Sequence, residues 1–393
     1  MVNGSLSRWL EILKVSAKLG LTSFGGPAAH LGYFYNEYVL RRKWLDERTY
    51  TDLVALGQFL PGPASSQVGI GIGILRGGLI GGLVSWIGFT LPSVVLLVLF
   101  ALALQTFPAG NAGWLHGLKL VAVAIVAQAV ADMGRKLAPD KTRAGVVVAS
   151  AGLTLLLPGT FVQVGVLLAA GLLGLKLYRS RAEKAAPAPR VPVSRRAGAA
   201  FLGLFLALLV LLPIARASFS QPSLAAADSF YRAGSLVFGG GHVVLPLLER
   251  EVVPPGWVSR EDFMAGYGAA QAVPGPLFTF AAYLGARMSG IPGAALATAA
   301  IFLPAFLLIA GALPFWDTLR KRPGVRGALA GINAAVVGLL LAALYNPLWI
   351  TAVTSPGDFV LAALLFVMLT VWKLPPWTAV LAGAAGGVLI GWG

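Results

Sequence analysis

The chain has 393 residues, of which 57% are hydrophobic and only 11% are charged, whereas a water-soluble domain carries about 25% charged residues. This composition excludes a soluble protein and predicts an integral membrane protein. We expect an all-α polytopic protein, located in the inner (plasma) membrane. The formal net charge of +15 comes from short basic stretches between apolar runs, which are typical of cytoplasmic loops facing a lipid bilayer and exclude a nucleic-acid-binding surface.

The N-terminal part of the chain combines two helix-breaking motifs with basic flanks. Arg8, the basic run at 41–43 and Arg76 favour the cytoplasmic side, whereas glycine and proline clusters at 24–27 and 61–63 lie between them. This alternation predicts two re-entrant hairpins with broken tips near mid-bilayer, where irregular backbone is tolerated only inside protein or beside water. The alternative is that either stretch crosses the membrane as a kinked helix.

Five apolar runs are long enough, or nearly so, to cross a hydrocarbon core, which needs about 20 helical residues. They comprise residues 83–104, 114–131, 198–215, 293–313 and 327–345. The uncharged linker at 107–111 is expected on the outer side, because basic residues flank the two helices that it joins. Residues 143–157 and 159–177 predict a further hairpin of the same orientation.

A basic segment that contains several prolines, residues 179–197, predicts a cytoplasmic linker. It separates a first membrane repeat, residues 1–178, from an apolar helix at 198–216 and a second membrane repeat at 217–393. The helix at 198–216 has no counterpart before the first repeat. The second repeat is therefore expected to begin on the outer side of the membrane.

One motif occurs twice in the chain. Phe24-Gly25-Gly26 and Pro61-Gly62-Pro63 have counterparts in Phe238-Gly239-Gly240 and Pro274-Gly275-Pro276. The offset between the copies is 214 residues at the phenylalanines and 213 at Trp44 and Trp257, so one single-residue gap aligns them. The copies predict two homologous repeats.

The charges of the two copies favour opposite orientations. Residues 8–52 carry seven basic and five acidic side chains, whereas residues 228–262 carry three and five. Since basic residues favour the cytoplasmic side, we predict inverted-topology repeats with broken or re-entrant helices. Transporters with this organisation place the substrate near the bilayer midplane, at the breaks.

The breaks also predict the chemistry of the site. Proline after glycine favours the first turn of a helix, so new helices are expected to begin at the tips. Their free N–H groups and positive dipole ends suit an anion, and neutral hydroxyl and amide side chains add donors. The alternative is that glycine and proline only kink helices while hydroxyls satisfy the freed backbone. The predicted substrate-binding residues are Ser23, Phe24, Gly25, Gly26, Gln58, Gly62, Ser65, Ser66, Gln67, Phe238, Gly239, Gly240, Gly241, Gln271, Gly275 and Thr279.

Four titratable residues near the repeated motifs are candidates for ion coupling. His30 and His242 are nearly equivalent, and either can carry a proton, although a packing role fits both equally well. Glu37 and Glu251 match across the repeat, and each lies close to an arginine, so an ion pair and ion coupling both remain open. His116 has no expected partner and is assigned no role.

At these motifs the chain resembles the chromate ion transporter family, in its long form with two homologous halves. Leu91-Pro92-Ser93 is similar to a later motif of the family's first half. The resemblance implies a secondary carrier that exports chromate from the cytoplasm and confers chromate resistance. It also implies an ion gradient as the driving force, and sulfate as a related oxyanion that binds or competes.

We predict a carrier that binds a tetrahedral oxyanion near the midplane and works by alternating access, with a proton as a candidate coupling ion. The alternatives are a carrier of sulfate or another oxyanion and a passive anion channel. No cysteine and only three histidines are present, which argues against an enzyme, a cofactor and a metal site. The sequence leaves a homodimer open.

Overall fold

The computed structural model describes residues 2–23, 26–106, 113–157, 160–178, 191–237, 243–316 and 323–390. Within these ranges the regular elements are all helical and no strand occurs, as predicted. The α-helices, numbered in chain order, are Val2–Thr22 (α1), Gly26–Phe34 (α2), Glu47–Phe59 (α3), Ala64–Thr106 (α4), Gly113–Leu137 (α5), Lys141–Leu156 (α6), Thr160–Leu177 (α7), Arg195–Ser218 (α8), Pro222–Ser235 (α9), Val244–Val252 (α10), Arg260–Ala272 (α11), Phe280–Ala312 (α12), Pro323–Ala343 (α13), Pro356–Thr370 (α14) and Pro376–Ile390 (α15).

Five helical stretches in the described residues are long and apolar enough to cross a membrane. They are Ala64–Leu104, His116–Leu137, Arg195–Ser218, Leu277–Phe315 and Ala330–Ala352. Each overlaps one of the five predicted runs, so these predictions are confirmed. The predicted pair at 143–157 and 159–177 is also present as α6 and α7, whereas the linker at 107–111 lies outside the described residues.

α1 and α2 form an antiparallel hairpin, with α2 continuing as a π-helix over Tyr35–Arg41. Ser16 Oγ lies 3.2 Å from the Tyr38 hydroxyl, and Lys18 Nζ donates to the Glu37 carboxylate at 2.9 Å. Since residues equally far from the tip meet across the pair, the chain turns back there. It does not continue as a single kinked helix.

α3 and the first part of α4 form a second hairpin around residues 60–63. A β-carbon built on Gly57 would lie 3.1 Å from the carbonyl oxygen of Ala64, so the two helices approach closely where glycine permits it. The two hairpins share a base. Glu11 binds Arg76, from the second hairpin, at 2.8 Å and Arg42, from the first, at 3.3 Å.

α4 and α12 are each interrupted by a sharp reversal. Gly78 has φ +67° and Gly290 has φ +64°, conformations that favour glycine. Gly73 and Gly81 contact each other across the first reversal, although eight residues of continuous helix would separate them by about 12 Å. Gly285 and Gly293 meet in the same way across the second reversal. Each long helix is therefore a hairpin of one short and one long segment.

The π-helix at Tyr35–Arg41 explains the single-residue gap between the two copies. A π-helical turn holds one more residue than an α-helical turn. The second copy has the α-helix α10 and a turn over the corresponding stretch. The first copy therefore needs one additional residue between its Phe-Gly-Gly motif and Trp44, and the offset falls from 214 to 213.

The chain divides into two compact units. The first comprises residues 1–98, 181–241 and 274–323, and the second comprises 99–180, 242–273 and 324–393. In the first unit, apolar side chains of both hairpins pack with α8, α9 and α12 around a common core. In the second unit, α5 packs against α11, α14 and α15, and glycines such as Gly117 and Gly383 let α5 and α15 approach closely.

Candidate functional site

The two Pro-Gly-Pro motifs form matching turns in the first unit. Gly62 has φ +116° and Gly275 has φ +102°, so both positions favour glycine. α4 begins at Ala64, directly after the first turn, and a 3-10 helix over Leu277–Thr279 begins directly after the second and leads into α12. This confirms that new helices begin after both prolines.

Each turn is held by a residue of the opposite half of the sequence. The Gly62 N–H donates to the carbonyl oxygen of Val237 at 2.6 Å, and the Gly275 N–H donates to that of Ser23 at 2.9 Å. Val237 and Ser23 both come directly before a Phe-Gly-Gly motif. The first half therefore completes the second turn, and the second half completes the first.

The surroundings of the two turns also correspond. A β-carbon built on Gly62 would lie 3.6 Å from Ala305 Cβ, and one built on Gly275 would lie 2.7 Å from Ser93 Oγ. Ser93 and Ala305 are the third residues of Leu-Pro-Ser and Leu-Pro-Ala in the two halves. The contact of Ser93 with the second turn was not predicted. The feature of the sequence that indicates it is a proline that both halves place inside a long helix, directly before Ser93 and Ala305.

A histidine joins the starts of two helices. The Nδ1 atom of His30, in the first turns of α2, lies 3.2 Å from Ser65 Oγ in the first turn of α4. His30 is buried, and its ring packs edge-on against Phe89 with centroids 5.4 Å apart. The N-terminal ends of α2 and α4 thus lie side by side, with their first-turn N–H groups lacking acceptors inside the helices.

Several buried polar atoms around these helix starts have no hydrogen-bond partner among the described residues. Burying such atoms without a partner costs about 1–3 kcal/mol each. They therefore indicate a place where a ligand or water supplies the missing hydrogen bonds. They are Ser23 Oγ, His30 Nε2, Ser66 Oγ, Gln67 Oε1 and Thr90 Oγ1.

The remaining predicted binding residues differ in their surroundings. Gln67 also donates to the carbonyl oxygen of Pro61 at 2.7 Å, and Thr279 donates to that of Pro276 at 2.7 Å, so both side chains brace their own turns. Gln58 is exposed on α3. Gln271 belongs to the second unit, where its Nε2 atom is buried without a partner. Phe24, Gly25, Phe238, Gly239, Gly240 and Gly241 lie outside the described residues.

Glu37 is the centre of an ion-pair network near the base of the first hairpin. Its carboxylate is only 7% exposed and accepts from Arg42 at 2.8 Å, from Lys18 at 2.9 Å and from Arg41 at 3.2 Å. Lys18 of α1 thereby binds the π-helix that follows α2, and the neighbouring Arg41 and Arg42 complete the neutralisation of the carboxylate. Glu251 is half-buried in the second unit, and His242 lies outside the described residues.

The interpretation of His116 as a residue without a partner is wrong. Its Nε2 atom lies 2.6 Å from the buried carboxylate of Asp358, in the second unit. Asp358 also accepts from the backbone N–H groups of Thr354 and Ser355 and forms a capping box at the start of α14. His116 therefore fastens α5 to the N-terminal end of α14.

Comparison with known proteins identifies close relatives. The family described as "Chromate transporter" matches the chain twice, over residues 10–175 and 224–388. A chromate transport protein of Pseudomonas aeruginosa is 30% identical over 388 residues, which are 95% of this chain and 90% of that protein. A probable chromate transport protein of Synechococcus elongatus is 27% identical over 85% of this chain and 83% of its own length. A chromate transport protein of Cupriavidus metallidurans is 27% identical over 85% and 81%. No solved structure matches the chain.

Proposed function

Since this chain belongs to the chromate transporter family, we propose that it is a secondary carrier that exports chromate from the cytoplasm. It is a multi-pass protein of the inner membrane. Export would lower the cytoplasmic chromate concentration and so confer resistance. The observation that carries this proposal is the group of buried, unpartnered polar atoms at the helix starts of the first unit.

The oxyanion binds between the N-terminal ends of α2 and α4. Ser23 Oγ, Ser66 Oγ and His30 Nε2 supply side-chain donors there, and the first-turn N–H groups and dipoles of both helices add to them. A divalent anion loses its water shell on entering a membrane protein, so an array of donors must replace that shell. Neutral donors bind the anion without the strong hold of a fixed cation, which lets it leave.

The two Phe-Gly-Gly motifs complete the site in this proposal. Gly26 begins α2 with φ +77°, and a β-carbon there would meet no described atom within 4 Å. Its backbone therefore borders open space. Phe24 and Gly25 in the first motif, and residues 238–241 in the second, are proposed to supply further N–H groups to the anion.

Inverted repeats account for the reciprocal contacts of the two turns. If the halves are related by a two-fold axis in the membrane plane, every contact from the first half to the second recurs in the opposite direction. The pairs Gly62 with Val237 and Gly275 with Ser23 have this property. We propose that the halves alternate in exposing the site to the two sides of the membrane, as in other carriers built from inverted repeats.

His30 is the coupling residue that the geometry favours. It is buried at the proposed site, and its Nε2 atom has no partner in the described part of the chain. A proton at that atom would change the charge of the proposed site, so that binding of the oxyanion and binding of the proton would be linked there. Glu37 has the opposite surroundings, because three basic side chains already neutralise it, and we assign it a structural role.

Uptake of chromate into everted membrane vesicles tests the proposal. A coupled exporter accumulates chromate inside the vesicles only when a proton gradient is present, and sulfate competes if it shares the site. Equilibration without accumulation would support a passive channel instead. Absence of any chromate flux, with sulfate flux retained, would replace chromate by another oxyanion.

Three variants test the roles of individual residues in the vesicle assay. Ser66→Ala removes an unpartnered hydroxyl and is expected to lower transport, whereas Thr298→Val, whose hydroxyl is satisfied by the carbonyl oxygen of Ala294 at 2.7 Å, is the matched control. His30→Gln is expected to abolish gradient-driven accumulation. Accumulation by His30→Gln at the wild-type level would remove His30 from the coupling mechanism.

A further inference from the structure

The second unit contains a polar cavity, and all its lining residues belong to that unit. Its volume is about 170 Å³, many times the roughly 10–15 Å³ that one water molecule requires. The ends of α6 and α13, the start of α7 and the facing parts of α10 and α11 surround it. Its polar lining residues are Thr154, Gln163, Glu249, Arg250, Arg260 and Asn346.

Two of these residues have buried polar atoms without partners. Gln163 is only 1% exposed, and neither the Nε2 nor the Oε1 atom of its side chain has a partner among the described residues. The Thr154 hydroxyl is also buried and unpartnered. Buried polar atoms normally have a hydrogen-bond partner, and a water or an ion in the cavity would supply it here.

The charges of the cavity select an anion. Two guanidinium groups and one carboxylate line it, which gives a formal net charge of +1. Arg260 donates to the Glu249 carboxylate at 3.3 Å, and Arg250 donates to the carbonyl oxygen of Thr154 at 3.4 Å. The Gln163 carbonyl oxygen adds one acceptor, which a bound water or a protonated anion satisfies.

We propose that this cavity is a second binding site, for a small tetrahedral oxyanion such as sulfate, chromate or a phosphate group. Guanidinium, amide and hydroxyl donors surround the space in the way that such anions require. The charge pattern of the sequence predicts the outer side of the membrane for the turn between α6 and α7 and for that between α10 and α11. The site would therefore hold an oxyanion on the outer side.

Equilibrium binding of radiolabelled sulfate to the detergent-solubilised full-length chain tests this proposal. Gln163→Leu removes both unpartnered atoms, and Thr154→Val removes the hydroxyl while keeping the shape of the side chain. Each is expected to weaken sulfate binding to one class of sites by about tenfold or more, as the loss of a hydrogen bond to an anion does. Thr298→Val, in the first unit, makes the same change at a satisfied hydroxyl and should bind sulfate like the wild type.

Thermal unfolding separates a binding role from a structural one. If Gln163 only fills the core, Gln163→Leu raises the unfolding temperature and leaves sulfate binding unchanged, which would overturn the proposal. Unchanged binding by Thr154→Val would contradict it independently, even if Gln163→Leu failed to fold. Thermal protection of the wild type by sulfate, reduced in both variants, would support it.

Two further measurements identify the source of the anion and distinguish the two proposed sites. Protection by phosphatidylglycerol but not by phosphatidylcholine, lost in Thr154→Val, would identify a lipid headgroup phosphate as the bound oxyanion. Ser66→Ala should remove sulfate only from the proposed transport site. Sulfate binding that depends on Gln163 would thus stand even if the vesicles showed no chromate transport.

Discussion

Replacing Gly26 tests whether transport depends on the space beside this glycine or only on the stability of the backbone at the helix break. Gly26 has φ +77°, and Gly256 in the turn after α10 has φ +75°; neither has a described atom within 4 Å of a built β-carbon. An alanine at either position therefore costs about the same, on the order of 1–2 kcal/mol for a left-handed residue. Only the methyl group at Gly26 enters the proposed oxyanion site. We expect chromate uptake into everted vesicles to fall about tenfold or more in Gly26→Ala, the loss of one hydrogen bond to an anion, and to change less than about twofold in Gly256→Ala.

Asparagine at the same two positions refines this comparison. Asparagine adopts left-handed conformations at low cost, so Gly26→Asn keeps the backbone relaxed while it fills the space. Gly26→Asn should unfold at nearly the wild-type temperature and still lose transport, whereas Gly256→Asn should keep both. Equal transport in the two asparagine variants, measured per folded molecule, would refute the assignment of Gly26 to the site.

Three further predictions concern the fold. Glu37→Gln removes the carboxylate that Lys18, Arg41 and Arg42 share, although Arg42 still contacts Glu11; it should lower the free energy of unfolding by about 1–3 kcal/mol and preserve transport per folded molecule, and the reverse pattern would make Glu37 a coupling residue. A β-carbon on Gly234 would collide with a backbone carbonyl of α12, whereas Gly203 in α8 has no described atom nearby, so Gly234→Ala should reduce the folded protein in membranes while Gly203→Ala raises its thermal stability slightly. The uncharged linker at 107–111 and the basic run at 320–326 predict opposite sides of the membrane. The chain has no native cysteine, and single cysteines at Gly110 and Arg322 should react with an impermeant label from opposite sides; labelling from one side would refute the predicted topology.

The sequence predicts the parts of the fold that depend on short segments. The five spans follow from apolar runs of sufficient length, and the helix starts at Gly26 and Ala64 follow from glycine and proline in adjacent positions. The basic residue Arg76 also predicts a boundary close to the reversal at Gly78. These features are local, so residue type and spacing are enough to find them.

Contacts between distant segments could not be predicted in the same way. His116 and Asp358 are 242 residues apart, and nothing in the local sequence of either residue indicates the other. Glycine composition is also ambiguous, because Gly78 reverses the chain while Gly73 only permits close packing. Both glycines lie in an apolar run rich in glycine, so the sequence alone does not distinguish their roles.

The reciprocal turns provide a physical reason for the duplication. The Gly62 turn is held by the carbonyl oxygen of Val237 and the Gly275 turn by that of Ser23, so neither half of the sequence completes its own turn. All four residues belong to the first unit, so the two turns and the segments that hold them lie in one compact body. Two backbone hydrogen bonds therefore link the two halves of the sequence at the proposed site, one in each direction. If the halves are inverted repeats that alternate in exposing the site, as we propose, the acceptor that each turn receives from the opposite half would link a movement at one turn to a movement at the other.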